Sequence, residues 1–331
     1  MTLTSGRTTY KPFRYQQAYD YWLKQQNAHW LHTEIPMSSD VQDWKLTLSD
    51  EAKALVGGVL KGFIQTELVV NDYWSSKVAK WFPHPEIAMM ASCFGSMETI
   101  HTVAYAQLND TLGLSDYDAF MDEPAAKAKL DRLVEVKGES IRDIARSLAI
   151  FSAFTEGVSL FSSFAALLNF SRFNMLKGVG QIISFSIRDE SLHSEAGCWL
   201  FRQLIEENPE IWDDELKRDL YEAARMTVAM EDAFIDSFFD VGEVYELQRQ
   251  DLKNFIRQRA NVKLGDLGLK MNWKNIDKDS LERMAWFDFL SAGQSLTDFF
   301  ATRVTDYSKG AIDFESMYNE LDAAPVVAAA E

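Results

Sequence analysis

The chain has 331 residues, 47% of them hydrophobic, and its 33 basic and 50 acidic side chains give a net charge of −17. That length and apolar content allow a large buried core, and the negative balance argues against nucleic-acid binding through phosphate contacts. Two cysteines, Cys93 and Cys198, far apart in sequence, exclude a disulfide framework or a cysteine-based zinc site.

Alternating patterns are nearly absent and heptad-like apolar spacing recurs, so the fold class expected is all-α. The opening MTLTSGRTTYKPF has no apolar h-region, which predicts no signal peptide and a cytoplasmic protein. An extended arm runs to about Lys11, followed by a helix near 15–26 and a loop over 29–43 that holds Trp30. Long helices are predicted over 49–80, 86–112, 139–170 and 178–207, with Ser49 and the residues around Glu139 as start signals and Asn208-Pro209 as a stop. Three more follow at 213–242, 245–264 and 280–300. Residues 15–300 contain no linker rich in Gly, Pro or Ser, so residues 1–306 read as one domain. The stretch 307–331 loses periodicity and reads as a flexible tail. The segment 148–168, LAIFSAFTEGVSLFSSFAALL, has one charge, Glu156, and is nearly long enough to cross a bilayer. A mid-span glutamate is costly there and no second run matches its purity. It is therefore expected to be a core helix, hydrophobic all round, with no membrane involved.

Two Glu-x-x-His steps fall on these helices, Glu98/His101 in ETIH and Glu190/His193 in ESLH. Positions three apart share a helix face, so each step aims a carboxylate and an imidazole at one point. Each is preceded by a lone glutamate inside an apolar helix: Glu67 stands 31 residues before Glu98, and Glu156 stands 34 before Glu190. A helix of about 25 residues plus a turn gives such an interval, so each half reads as an antiparallel helix pair. A single Glu-x-x-His is commonly a surface pair. Two with matched partners in hydrophobic helices make the six-ligand set of a di-iron or di-manganese carboxylate bundle: Glu67, Glu98, His101, Glu156, Glu190 and His193. Metal binding also removes the several kcal/mol that an unpaired buried carboxylate costs.

Tyr105 lies four residues after His101 and seven after Glu98, on the same stripe. By position alone it reads first as an ordinary core tyrosine, one of eleven tyrosines in the chain. Leu160 and Phe164, four and eight residues after Glu156, are expected to face the same cavity and keep it dry. On the same basis Trp30 is a packing residue and Asp189 a charge on a helix.

METIHTVAY, IRDESLH and the two spacings resemble the radical-generating small (beta) subunit of class I ribonucleotide reductase, over about 30–307. The resemblance implies a ferritin-like dimetal-carboxylate bundle with additional helices. It implies that Tyr105 stores a radical, and that Asp189 holds the metal-bound His101 and contacts Trp30. In FFATRVTDYSKG, Tyr307 matches the tail tyrosine that passes the radical onward, with Tyr318 as the runner-up. It further implies a homodimer that docks through its C-terminal tail to a large (alpha) subunit, where ribonucleotides are reduced and nucleotides bind. The tail lacks the terminal aromatic residue of many members. Glu67 also departs from the pattern: most tyrosyl-radical members have aspartate there, and glutamate resembles a subgroup with phenylalanine in place of the tyrosine and a Mn/Fe centre. Here Glu67 accompanies Tyr105, and the metal pair implied is Fe/Fe or Mn/Mn ahead of Mn/Fe. Two rivals use the same ligands: a dimetal oxidase or monooxygenase with a small substrate, and a metal-storage bundle without turnover.

Overall fold

Every regular element among the described residues is helical. A computed structural model describes residues 2–7, 9–114, 138, 140–240 and 245–291. The helices are α1 (Gln16–Asn27), α2 (Ser38–Gln42), α3 (Asp50–Asp72), α4 (Ala79–Trp81), α5 (Pro85–Leu112), α6 (Ile141–Leu148), α7 (Phe161–Arg172), α8 (Lys177–Glu207), α9 (Asp214–Phe239), α10 (Arg249–Asp266) and α11 (Lys278–Arg283). Wider π-helical turns join α3 to α4 (Tyr73–Val78) and α6 to α7 (Ala149–Ser159) without breaking either run. Four long rods result, close to the four predicted.

The rods pair as the two-half pattern predicts. α3 packs along α5, and the π segment with α7 packs along α8; α5 meets α8, and α3 meets α7. α1 lies across α5 and α8, while α9 and α10 cover the π segment from the other side. The run Ile141–Arg172 passes a length and apolarity test for a membrane span, but 89% of its most apolar window is buried inside the protein. It is a core helix, surrounded by protein on all faces.

Local chemistry sets the ends of the rods. Ser49 accepts from the Ala52 N–H to open α3, and Ser140 with Asp143 forms a capping box that opens α6. Pro85 begins α5, and Gly113, at φ 76°, ends it in the left-handed conformation. The start of α8 has no cap of its own. Asp40, fully buried, supplies one from α2: Oδ2 accepts from Gly178 N at 3.0 Å and Oδ1 from Val179 N at 2.9 Å. That task gives the predicted loop 29–43 a short helix. Tyr245 and Glu246 adopt positive φ (47° and 62°), which excludes them from a helix, so α10 begins at Arg249 rather than 245. The helix predicted over 280–300 is interrupted. α11 ends at Arg283, which is held to Asp251 by two contacts of 2.7 Å, and helix resumes at 286–291. The rest of that prediction, and the tail 307–331, lie outside the described residues.

Candidate metal centre

The four rods deliver all six predicted ligands to one place. Glu67 comes from α3, Glu98 and His101 from α5, Glu156 from the π segment, and Glu190 and His193 from α8; all six are fully buried. Their donor atoms form two groups, Glu67/Glu98/His101/Glu190 and Glu98/Glu156/Glu190/His193, with the atoms of each within 4.8 Å of one another. Glu98 and Glu190 belong to both. Oε2 of Glu98 lies 3.0 Å from His101 Nδ1, and Oε1 lies 2.7 Å from His193 Nδ1. Two adjoining positions that share two carboxylates are laid out for a pair of cations.

The donor set fits that pair. Both carboxylate oxygens of Glu67, Oε2 of Glu190 and Oε2 of Glu156 are buried without a hydrogen-bond partner. Left so, each costs on the order of 1–3 kcal/mol, more when charged. Four carboxylates with two neutral imidazoles also balance the charge of two divalent ions. Oxygen and imidazole donors suit iron and manganese alike.

The protein alone is electrostatically strained here. Burial, then Glu98 and Glu190, push the Glu67 carboxyl well above its ordinary value. Burial, then Glu190 and Glu98, do the same to Glu156. Burial and Glu98 raise Glu190 to about 7. For Glu98, burial works against the charge, but His193 and His101 outweigh it and hold the carboxyl below its ordinary range. The cluster keeps some of its carboxyls protonated, and bound cations would displace those protons.

A hydrogen-bonded layer behind the ligands fixes both histidines. His101 Nε2 lies 3.2 Å from Asp189 Oδ2, and the same oxygen accepts from Trp30 Nε1 at 2.8 Å. Trp30 is buried and stacks on the His101 ring at 5.9 Å. Burial opposes the charge on Asp189, but His101, Arg188 and Trp30 keep its carboxyl below the ordinary range. The structure therefore brings Trp30, Asp189 and His101 into one chain. Gln25 extends it: its Nε2 donates to Asp189 Oδ1 at 3.1 Å and its Oε1 accepts from His193 Nε2 at 3.1 Å. Each imidazole thus has one nitrogen tethered and turns Nδ1 to the carboxylates.

Tyr105 is fully buried beside the first group, its ring 6.2 Å from His101 and stacked on Phe63 at 4.7 Å. Its hydroxyl donates to Ser186 Oγ at 2.7 Å. Burial, then Glu67, push the phenol well above its ordinary value, so it is held neutral. Leu160 and Phe164 are buried, and Phe164 reaches Tyr105 through Phe63, on which it stacks at 5.2 Å. Tyr307 and Tyr318 lie outside the described residues.

Three partners escaped the sequence reading. Trp74 is fully buried and donates from Nε1 to Glu156 Oε1. It follows Glu67 by seven residues, the interval that marked Tyr105 after Glu98. Ser186 precedes Glu190 by four, again one stripe. Gln25 left no signal, because α1 meets the centre through a contact spanning more than 160 residues.

Four helical rods around a shared carboxylate–histidine pair of positions define a ferritin-like dimetal-carboxylate protein. Residues 7–279 match the family described as ribonucleotide reductase, small chain. A probable ribonucleoside-diphosphate reductase small subunit of Invertebrate iridescent virus 3 is 34% identical over 330 residues, covering 94% of this chain and 86% of that one. The ribonucleotide reductase R2 subunit of Clostridium botulinum superposes with a TM-score of 0.78 at 20% identity, covering 88% of this chain and 94% of that one. The dimanganese(II)-NrdF of Streptococcus sanguinis superposes with a TM-score of 0.73 at 23% identity, covering 85% and 100%. The chain belongs to the ribonucleotide reductase small-chain family and serves as the small subunit of a ribonucleoside-diphosphate reductase, with a large subunit as its partner.

Proposed function

We propose that the chain generates and stores the radical of a class I enzyme, with Tyr105 as the storage site and Glu67, Glu98, His101, Glu156, Glu190 and His193 as the metal ligands. The observation that carries this is the setting of Tyr105. A neutral phenol is sealed from water, stacked on Phe63 and 6.2 Å from the His101 ring. A metal pair bound by these ligands would supply, with an oxygen species such as dioxygen or superoxide as the oxidant, the oxidising power for removing one electron from that phenol. The protein contributes position and dryness. Ser186 Oγ accepts the phenol's hydrogen bond and orients the hydroxyl, and Phe63 and Phe164 exclude water.

Asp189 and Trp30 then serve as the exit for the radical equivalent, because the hydrogen bonds from His101 through Asp189 to Trp30 run without a gap. Tyr307 carries it onward to a cysteine in the large subunit, where the ribonucleotide is reduced. The tail 307–331 docks there, the small subunit works as a homodimer in the cytoplasm, and the metal pair is Fe/Fe or Mn/Mn.

Continuous-wave electron paramagnetic resonance with metal analysis tests this, on protein loaded separately with Fe(II) and Mn(II) and exposed to oxidant. A tyrosyl signal present in the native chain and absent in Tyr105→Phe is expected, and the metal that supports it identifies the pair. Full reductase turnover by metal-loaded Tyr105→Phe would overturn the assignment and favour an oxidase.

A further inference from the structure

The mechanism above uses the His101 side of the centre and leaves the Glu156 side unexplained. On that side Trp74, fully buried, donates its indole N–H to Glu156 and lies 6.1 Å, edge to face, from the His193 ring. The Tyr73 ring lies edge-to-face with Trp74 at 5.6 Å and edge-to-face with Trp81 at 5.9 Å. Phe151 stacks flat on Tyr73 at 3.7 Å and fixes its orientation. Trp81, at the end of the α3–α4 rod, is half-buried and reaches the surface. The Tyr73 hydroxyl is buried with the Ser152 hydroxyl beside it, which is too weak a base to take its proton.

We propose that Trp74 and Trp81, with the Tyr73 ring packed between them, form a second electron route, separate from the exit through Asp189 and Trp30. It brings single electrons from a reductant in solution to the metal centre. This rests on the reading of the site as an oxidising metal centre. Indole is among the side chains most readily oxidised by one electron. Trp74 gives one electron to the centre while its Nε1 proton shifts along the hydrogen bond toward Glu156. Trp81 then refills Trp74 through the intervening ring, and the proton returns. A one-electron reductant of the ascorbate class refills Trp81 and releases its own proton to water. In the net step the reductant loses one electron and one proton, the proton passes to water, and the centre gains the electron. Tyr73 serves as packing and a tunnelling medium, because oxidising it would leave its proton stranded. A buried oxidant without such a drain would attack its own sulfur-bearing neighbours, and Met97 and Cys198 are both buried.

The test uses full-length protein loaded with metal and oxidised, with Trp30→Phe closing the first route. The loss of the Tyr105 radical on mixing with ascorbate is followed by rapid freeze-quench paramagnetic resonance. Adding Trp81→Phe is expected to slow that loss about tenfold or more. Trp81→Tyr, which keeps an oxidisable ring and can lose its proton to water, is expected to restore it to within about twofold. Bound metal and far-ultraviolet circular dichroism should be the same in all three. Decay in Trp81→Phe at the parent rate would overturn the relay, as would rescue by tyrosine no better than by phenylalanine. Absence of any radical in otherwise native, metal-loaded protein would instead defeat the functional reading on which the relay rests.

Discussion

Gln25 holds His193 from outside the ligand set: its side-chain oxygen lies 3.1 Å from His193 Nε2 while its nitrogen donates to Asp189 at 3.1 Å. One amide thus sets the orientation of groups in both halves of the centre. Gln25→Leu removes the tether and leaves His193 Nε2 buried without a partner. We expect the second metal to bind roughly 10–100-fold more weakly with the helical fold retained. Calorimetric titration of the metal-free protein with Mn(II) measures this; unchanged affinity at both positions would show that packing alone orients His193.

The metal-free protein should be least stable on the alkaline side. Glu190 is raised from an ordinary 4.5 to about 7, and Glu67 and Glu156 are raised well above theirs. These folded carboxyls hold protons that the unfolded chain releases near pH 4.5, so their effect turns destabilising as pH rises from there toward their folded values. His101 acts in the same direction. Burial lowers its pKa, but Glu98, Asp189 and Glu190 raise it well above its ordinary 6.5, so its stabilising contribution is lost above that value. The melting temperature of metal-free protein should fall by several degrees between pH 5.5 and 7.5, and Mn(II) should abolish the slope. A flat or rising curve without metal would contradict the electrostatics of the cluster.

Ser186→Ala leaves the Tyr105 hydroxyl buried without its acceptor. The cost should be about 1–3 kcal/mol in denaturant unfolding, and the radical should decay faster, with an altered line shape because the phenol rotates freely. Identical spectra would mean that Ser186 does not hold the phenol.

Asp40→Ala should cost about 2 kcal/mol, because two buried N–H groups at the start of α8 lose their acceptor. The helix that carries Asp189, Glu190 and His193 would fray from that end. Hydrogen exchange at 178–180 should accelerate before exchange anywhere else in α8.

The rods and the six ligands could be read from sequence because each depends on short-range spacing: three residues within Glu-x-x-His, and one helix plus one turn between carboxylates. The same arithmetic would have found Trp74 and Ser186, seven and four residues from a ligand, had it been applied to Glu67 and Glu190 as it was to Glu98, His101 and Glu156. Gln25 and Asp40 were beyond it. Both act across more than 130 residues, on partners that only the folded chain brings near. The breaks at 245–246 and after Arg283 were likewise set by backbone conformation and a tertiary ion pair, neither of which leaves a periodic trace.

Glu156 stands in the π segment Ala149–Ser159, where each turn holds about one residue more than an α-helix allows. Deleting any one residue of that segment, with its wide turns kept, would turn everything on one side of the cut by about 100° relative to the other. Glu156, with Trp74 hydrogen-bonded to it, would no longer register with Glu98 and Glu190. The length of this stretch is therefore constrained more tightly than its composition. Conservative exchanges of its apolar side chains should be tolerated, whereas a single insertion or deletion should leave a folded helix that cannot close the second metal position.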